Sequence, residues 1–138
     1  MTERVNHPEH YNFSKFEVID VIFDWTRDFC LGNALKYIAR AGRKENEIED
    51  LRKAKFYLQY FITNVNWDNW SNRVEQPNKY PIKDVLEEWQ LPSELSEVVY
   101  YIGNLGNMVY HVEVIGTLEE SVKILDKYIS NKTIDTEK

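Results

Sequence analysis

The chain has 138 residues, with 17 Lys and Arg against 23 Asp and Glu, a net charge of −6. That balance excludes an extended basic surface for nucleic acid, and no apolar run reaches the ~18 residues of a membrane span. Cys30 is the sole cysteine, which excludes an internal disulfide.

One domain over residues 1–138 is expected at this length. The polar start MTERVNHPEH has no apolar signal region, so the expected compartment is a reducing cytoplasm. Aromatic residues reach 14%, with nine Tyr and four Trp. Rings in this number either fill the core or leave some half-buried as a ligand wall or a homo-oligomer interface. Cys30, between Phe29 and Leu31, is expected as a buried thiol.

Residues 1–15 show no period, and HPEHYN with Pro8 reads as a loop. In FEVIDVIFDW, helical spacing picks out Phe16, Ile19, Ile22 and Phe23 as the apolar face, with Val18 and Trp25 alongside. A second helix is predicted over about 28–41, with Leu31, Ala34, Leu35 and Ile38 inward and Gly42 in a left-handed position at its end. Asn46 and Glu49 then read as a capping box. They open a third helix over about 46–65 whose apolar face runs Ile48, Leu51, Ala54, Leu58, Phe61, Ile62 and Val65. The short connection makes helices two and three an antiparallel hairpin.

Residues 66–80 are rich in Asn, Asp, Ser and Pro and read as a loop with Trp67 and Trp70 folded back. A short helix from Pro81 to Trp89 and a longer one from Pro92-Ser93 through Val109 follow. Gly103 and Gly106 mark a kink or a close helix contact within the longer one. Gly116 is expected to end or interrupt it. Thr117 and Glu120 read as a capping box opening a last helix to Ile129, with a fraying tail from Ser130. His111 is expected to be structural. The fold class is all-α: five or six helices around the central hairpin, with 81–130 as C-terminal helices that carry no motif.

GNALKYIARAGRK, residues 32–44, holds Lys36, Arg40, Arg43 and Lys44 and no acid. At helical spacing Asn33, Lys36, Tyr37 and Arg40 share the side opposite the apolar stripe. Two explanations stay open. In one, the cations simply complement a helix C-terminus on a solvated face. Alternatively, two arginine forks among hydrogen-bonding Asn33 and Tyr37 make a phosphate site. On the third helix Asp50, Lys53 and Tyr57 share an edge that can face the same groove. His7 and His10, with Tyr11, form a loop able to donate to phosphate or a base edge, and either histidine can serve as general acid or base. The pairs Glu17/Asp20, Glu47/Asp50 and Glu94/Glu97 are spaced one helical turn apart. They loosely resemble the acid pairs of all-α nucleoside triphosphate pyrophosphohydrolases, which hold Mg²⁺. No phosphate loop or dinucleotide fingerprint is present.

Four blocks, VNHPEHYN, FEVIDVI, LGNALKYIARAGRK and EIEDLRKAKFYL, stand in order over about residues 5–62. Together they resemble a small phage and prophage family labelled nucleotide kinase or protein of unknown function, similar to the T7-type phage nucleotide kinase. The resemblance implies a phage enzyme that passes phosphate to deoxynucleoside monophosphates without a phosphate loop, in the host cytoplasm. It implies ATP or another nucleotide as donor, with Mg²⁺ as a candidate companion. Carried over by position, the catalytic set is His10, Lys36, Arg40, Arg43 and Asp50, with His10 or Asp50 accepting a proton. The binding set is His7, Tyr11, Asn33, Tyr37, Lys44, Lys53 and Tyr57, with Tyr11 or Tyr37 stacking on the base. Three rival readings remain: a nucleotide-sequestering module without turnover, a pyrophosphohydrolase using the acid pairs, and an inhibitor that binds a host protein.

Overall fold

The computed structural model describes residues 14–41, 43, 46–68, 70 and 79–137, with side chains to residue 134. Among the described residues it is all-helical. The α-helices are α1 (Val18–Trp25), α2 (Phe29–Arg40), α3 (Glu47–Asn64), α4 (Ile82–Trp89), α5 (Ser93–Gly103) and α6 (His111–Glu137). A 3₁₀ turn, Leu105–Asn107, links α5 to α6. No helix among the described residues is long and apolar enough to cross a membrane.

The hairpin of α2 and α3 is the most extensive helix pair, and α6 packs along α3 and α5. Its inward residues are the expected ones: Leu31, Ala34, Leu35 and Ile38 on α2, and Leu51, Ala54, Leu58 and Phe61 on α3 are all buried. Each large apolar side chain so buried contributes about 1.5–3 kcal/mol. Trp89, Leu95, Val98, Ile102, Leu118 and Leu125 complete the core from the C-terminal helices.

Several local expectations are corrected. On α1 the buried residues are Val18, Val21 and Trp25, while Ile19 and Phe23 point outward. The segment FEVIDVIFDW carries apolar residues on two faces, and periodicity does not rank them. Asn46 precedes α3, but its side chain makes no capping bond. Pro81 and Pro92 are caps rather than first helical residues. The helix from Ser93 stops at Gly103, so Val109 lies outside it and is exposed. Gly116 and Thr117 lie inside α6, which begins at His111 and continues past Ile129 and Ser130 to Glu137. Thr117 Oγ1 contacts Met108 Sδ instead of capping a helix. Gly42 lies outside the described residues; Ala41 closes α2 in an extended conformation.

Gly103 does mark a close contact. A Cβ there would lie 2.9 Å from the Trp25 ring, so only glycine lets α5 approach α1 this closely. Trp25 Nε1 donates to the Tyr80 carbonyl at 2.7 Å, and Asp24 accepts from the backbone N–H groups of Lys79 and Tyr80. These three bonds tie the start of the C-terminal half to the end of α1. Trp67 and Trp70 fold back on Phe61 as expected. His111 is exposed and stacks on Trp67 with ring centroids 3.9 Å apart.

Candidate functional site

Asp28 sets the register of α2. Its side chain accepts from the Leu31 N–H at 2.9 Å, satisfying one of the helix's unpaired first-turn donors. With Leu31, Ala34, Leu35 and Ile38 turned inward, Asn33, Lys36, Tyr37 and Arg40 lie half-buried on the other side. The hairpin then brings in Asp50, Lys53 and Tyr57 from α3.

The two strips meet at Tyr37. Its ring lies nearly parallel to that of Tyr57, with an interplanar angle of 9° and centroids 6.2 Å apart. Lys36 Nζ is 4.9 Å from the Tyr37 ring centroid, Lys53 Nζ 5.4 Å and Arg40 Cζ 5.4 Å. The negative ring face offsets part of the repulsion among three gathered cations. Arg40 Nε donates to Asp50 Oδ2 at 3.1 Å, and Lys53 pairs with Glu49 at 3.4 Å. Lys36 makes no ion pair among the described residues.

Lys36 also lines an open groove of about 550 Å³ between α1 and α2. Ile19, Ile22, Phe23 and Phe29 form its apolar wall; Glu17, Asp28 and Asn33 supply polar groups. Gly32 lets the helices approach, since a Cβ there would sit 3.1 Å from Ile22 Cγ2. Asn33 Nδ2 donates to the Phe29 carbonyl at 2.9 Å, which fixes the amide and leaves its oxygen as an acceptor. An apolar cleft with a few fixed polar groups is the usual form of a small-molecule site.

Several expected residues have partners that bear on their roles, and others fall outside the described part. Arg43 is half-buried, and its guanidinium donates to the carbonyls of Ala41 and Trp89, the latter at the end of α4. Burial lowers its pKa from the ordinary arginine value. Asp50, expected as a proton acceptor, is buried and ion-paired, an environment that suits it to hold Arg40 in place. Tyr37, expected to stack on a base, already has Tyr57 against its ring. His7, His10, Tyr11 and Lys44 lie outside the described residues.

The acid pairs do not converge on a cation. Glu17 faces the groove while Asp20 is exposed; Glu47 accepts from Tyr128 OH at 2.9 Å; Asp50 is held by Arg40. Among the described residues no three His, Cys, Asp or Glu side chains gather into an all-protein metal cage; Mg²⁺ is ordinarily held by one or two carboxylates together with water and substrate phosphates. Cys30 is half-buried rather than fully enclosed, and burial followed by the charge of Asp28 raises its pKa.

Sequence reasoning missed the groove wall. The available signal was Phe29, an aromatic outside the apolar stripe of α2. It is 73% exposed.

Residues 5–59 match the family described as Protein of unknown function (DUF3310). The gene 1.7 protein of Enterobacteria phage T3 is 44% identical over 66 residues, which cover 41% of this chain and 40% of that protein. Nucleotide kinase gp1.7 of Escherichia phage T7 is 40% identical over 68 residues, covering 43% of this chain and 35% of that protein. The chain thus spans less than half the length of either curated relative. No solved structure matches it. The segment that builds α1, α2 and most of α3, with Lys36, Arg40, Asp50 and Lys53, is therefore the part of the chain that carries the resemblance to the phage nucleotide kinase-like family.

Proposed function

We propose that the protein binds a nucleotide along the α1–α2 groove and transfers a phosphoryl group to a deoxynucleoside monophosphate without a phosphate loop. The single observation that carries this is the position of Lys36. It lines the apolar groove and also lies over the Tyr37 ring beside Arg40 and Lys53. A base and sugar fit the groove against Phe23 and Phe29, and the phosphates then fall toward the cations. The name of the T7 relative, nucleotide kinase, supports the same chemistry.

Phosphoryl transfer asks the protein mainly for positioning and charge stabilisation. Lys36 and Lys53 neutralise phosphate charge, while Asp50 holds the Arg40 fork in a fixed direction. A phosphate monoester has a second pKa of about 6, so an acceptor monophosphate is already largely a dianion at neutral pH. It can attack without a protein base. The burial of Asp50 is no obstacle on this scheme, and His10, His7, Tyr11 and Lys44 serve to orient the nucleotide. ATP or another nucleotide is the donor. Among the described residues no cluster of three or more ligands forms a resident metal cage.

Binding without turnover is the second reading. It is favoured by the fact that, among the described residues, a single groove is seen beside the cations, whereas transfer needs both a donor and an acceptor nucleotide. ³¹P NMR with ATP and a panel of deoxynucleoside monophosphates separates the two, with Lys36→Ala as the control. New diphosphate that disappears in the variant supports transfer. Shifted but chemically unchanged resonances support sequestration. Pyrophosphate release, or resonances unaffected by the protein, overturns both.

A further inference from the structure

On the outer side of α3, Phe56 is 57% exposed and Tyr60 51% exposed. Ring contacts make them continuous with Phe29: Phe56 meets Tyr60 at 6.0 Å and Tyr57 at 5.4 Å, and Tyr57 meets Phe29 at 5.9 Å. Phe29 then joins Ile19 and Phe23 at the groove rim. An aromatic side chain carries ~150–250 Å², so these four aromatics with Ile19, each more than half exposed, present on the order of 600 Å². That equals the largest apolar patch of a typical monomer and approaches the ~800 Å² per partner of a stable protein interface.

We propose that this face is where a second copy of the chain docks, with α3 crossing α3 antiparallel at Phe56. A two-fold interface must be self-complementary, and the stripe is. Arg52 lies four residues before Phe56 and Tyr60 four residues after it, and both are exposed. In an antiparallel crossing each Arg52 meets the partner's Tyr60 ring, giving two equivalent cation–π contacts. The second copy also covers Phe29, so it closes one side of the groove to water. Another exposed apolar group, Val109, Tyr110 and Val112, precedes and opens α6 and stays outside this interface.

Sedimentation velocity of the full chain, without nucleotide, from micromolar to sub-millimolar concentration tests this independently of any nucleotide chemistry. The expected result is a dimer that Phe56→Glu and Tyr60→Glu each weaken roughly tenfold or more, while Val112→Glu leaves it intact. Circular dichroism confirms that at least one of the two α3 variants retains its helices. A monomer at every concentration overturns the proposal. So does a dimer that survives both α3 variants, or one that only Val112→Glu dissociates.

Discussion

Arg40 Nε and Asp50 Oδ2 lie 3.1 Å apart across the hairpin, and their side chains are only 14% and 2% exposed. The pair joins the cationic face of α2 to the first turn of α3. Removing one member of a buried pair strands the other charge, which typically costs about 3–5 kcal/mol. Arg40→Ala is therefore expected to lower unfolding free energy by about that amount in urea titration. Asp50→Asn, which keeps the shape, should cost less. A loss of activity in Arg40→Ala would not by itself locate the chemistry.

Lys36 is the cleaner probe of the site. It is half-buried and makes no ion pair among the described residues. Lys36→Ala should leave the thermal midpoint within a few degrees of the parent. It should weaken nucleotide binding about tenfold, the equivalent of one charge-assisted hydrogen bond. Isothermal titration with ATP and with a deoxynucleoside monophosphate checks it. Undiminished affinity would remove the observation on which the functional proposal stands.

Gly103→Ala tests the α5–α1 contact. The added methyl meets the Trp25 ring at 2.9 Å and Ile82 Cγ1 at 3.1 Å. The ring is buried and held by its bond to Tyr80, so it has little room to yield. Overpacking of this kind costs about 1–3 kcal/mol, which outweighs the gain of about 1 kcal/mol in helix propensity. Denaturant unfolding followed by tryptophan fluorescence should show a lower midpoint.

Tyr128 predicts an alkaline effect. Burial, then the hydrogen bond to Glu47, raises its pKa well above the ordinary tyrosine value. The folded protein therefore keeps the phenol proton at pH values where the unfolded chain has lost it. This contribution to stability is complete below about pH 10, the unfolded tyrosine value, and declines as pH rises beyond it. Thermal midpoints of the parent and of Tyr128→Phe, compared from pH 8 to 11, should begin to draw together above about pH 10. A gap that stays constant would contradict the assignment.

The hairpin was legible because its apolar positions repeat at three and four residues on both α2 and α3, and burial agrees with that pattern. The cationic face was legible for the same reason. The boundaries of the C-terminal helices were not. Gly116 costs a helix interior only about 1 kcal/mol, less than α6 recovers by burying Val114, Leu118 and Leu125 on one face. Asn46 and Glu49 have capping-box spacing, but spacing does not determine the backbone angles that bring the side chain to the N–H. The groove was beyond reach because it belongs to neither helix alone. It exists only where side chains of α1 and α2 come together beside the close approach at Gly32. The partners of Asp50 and Tyr37 likewise lie on the opposite helix, where single-helix periodicity does not reach.

The clamp between Asp24, Trp25 and Tyr80 bounds a stretch of chain by its ends. Trp25 and Tyr80 are 55 residues apart in sequence, yet their hydrogen bond holds the entry to α4 in place. The position of Tyr80, and with it the entry to α4, is set by these bonds to Asp24 and Trp25, which the length of the intervening chain does not enter. The C-terminal helices are thus docked by a fixed joint at the end of α1 rather than by the length of the tether that leads to them.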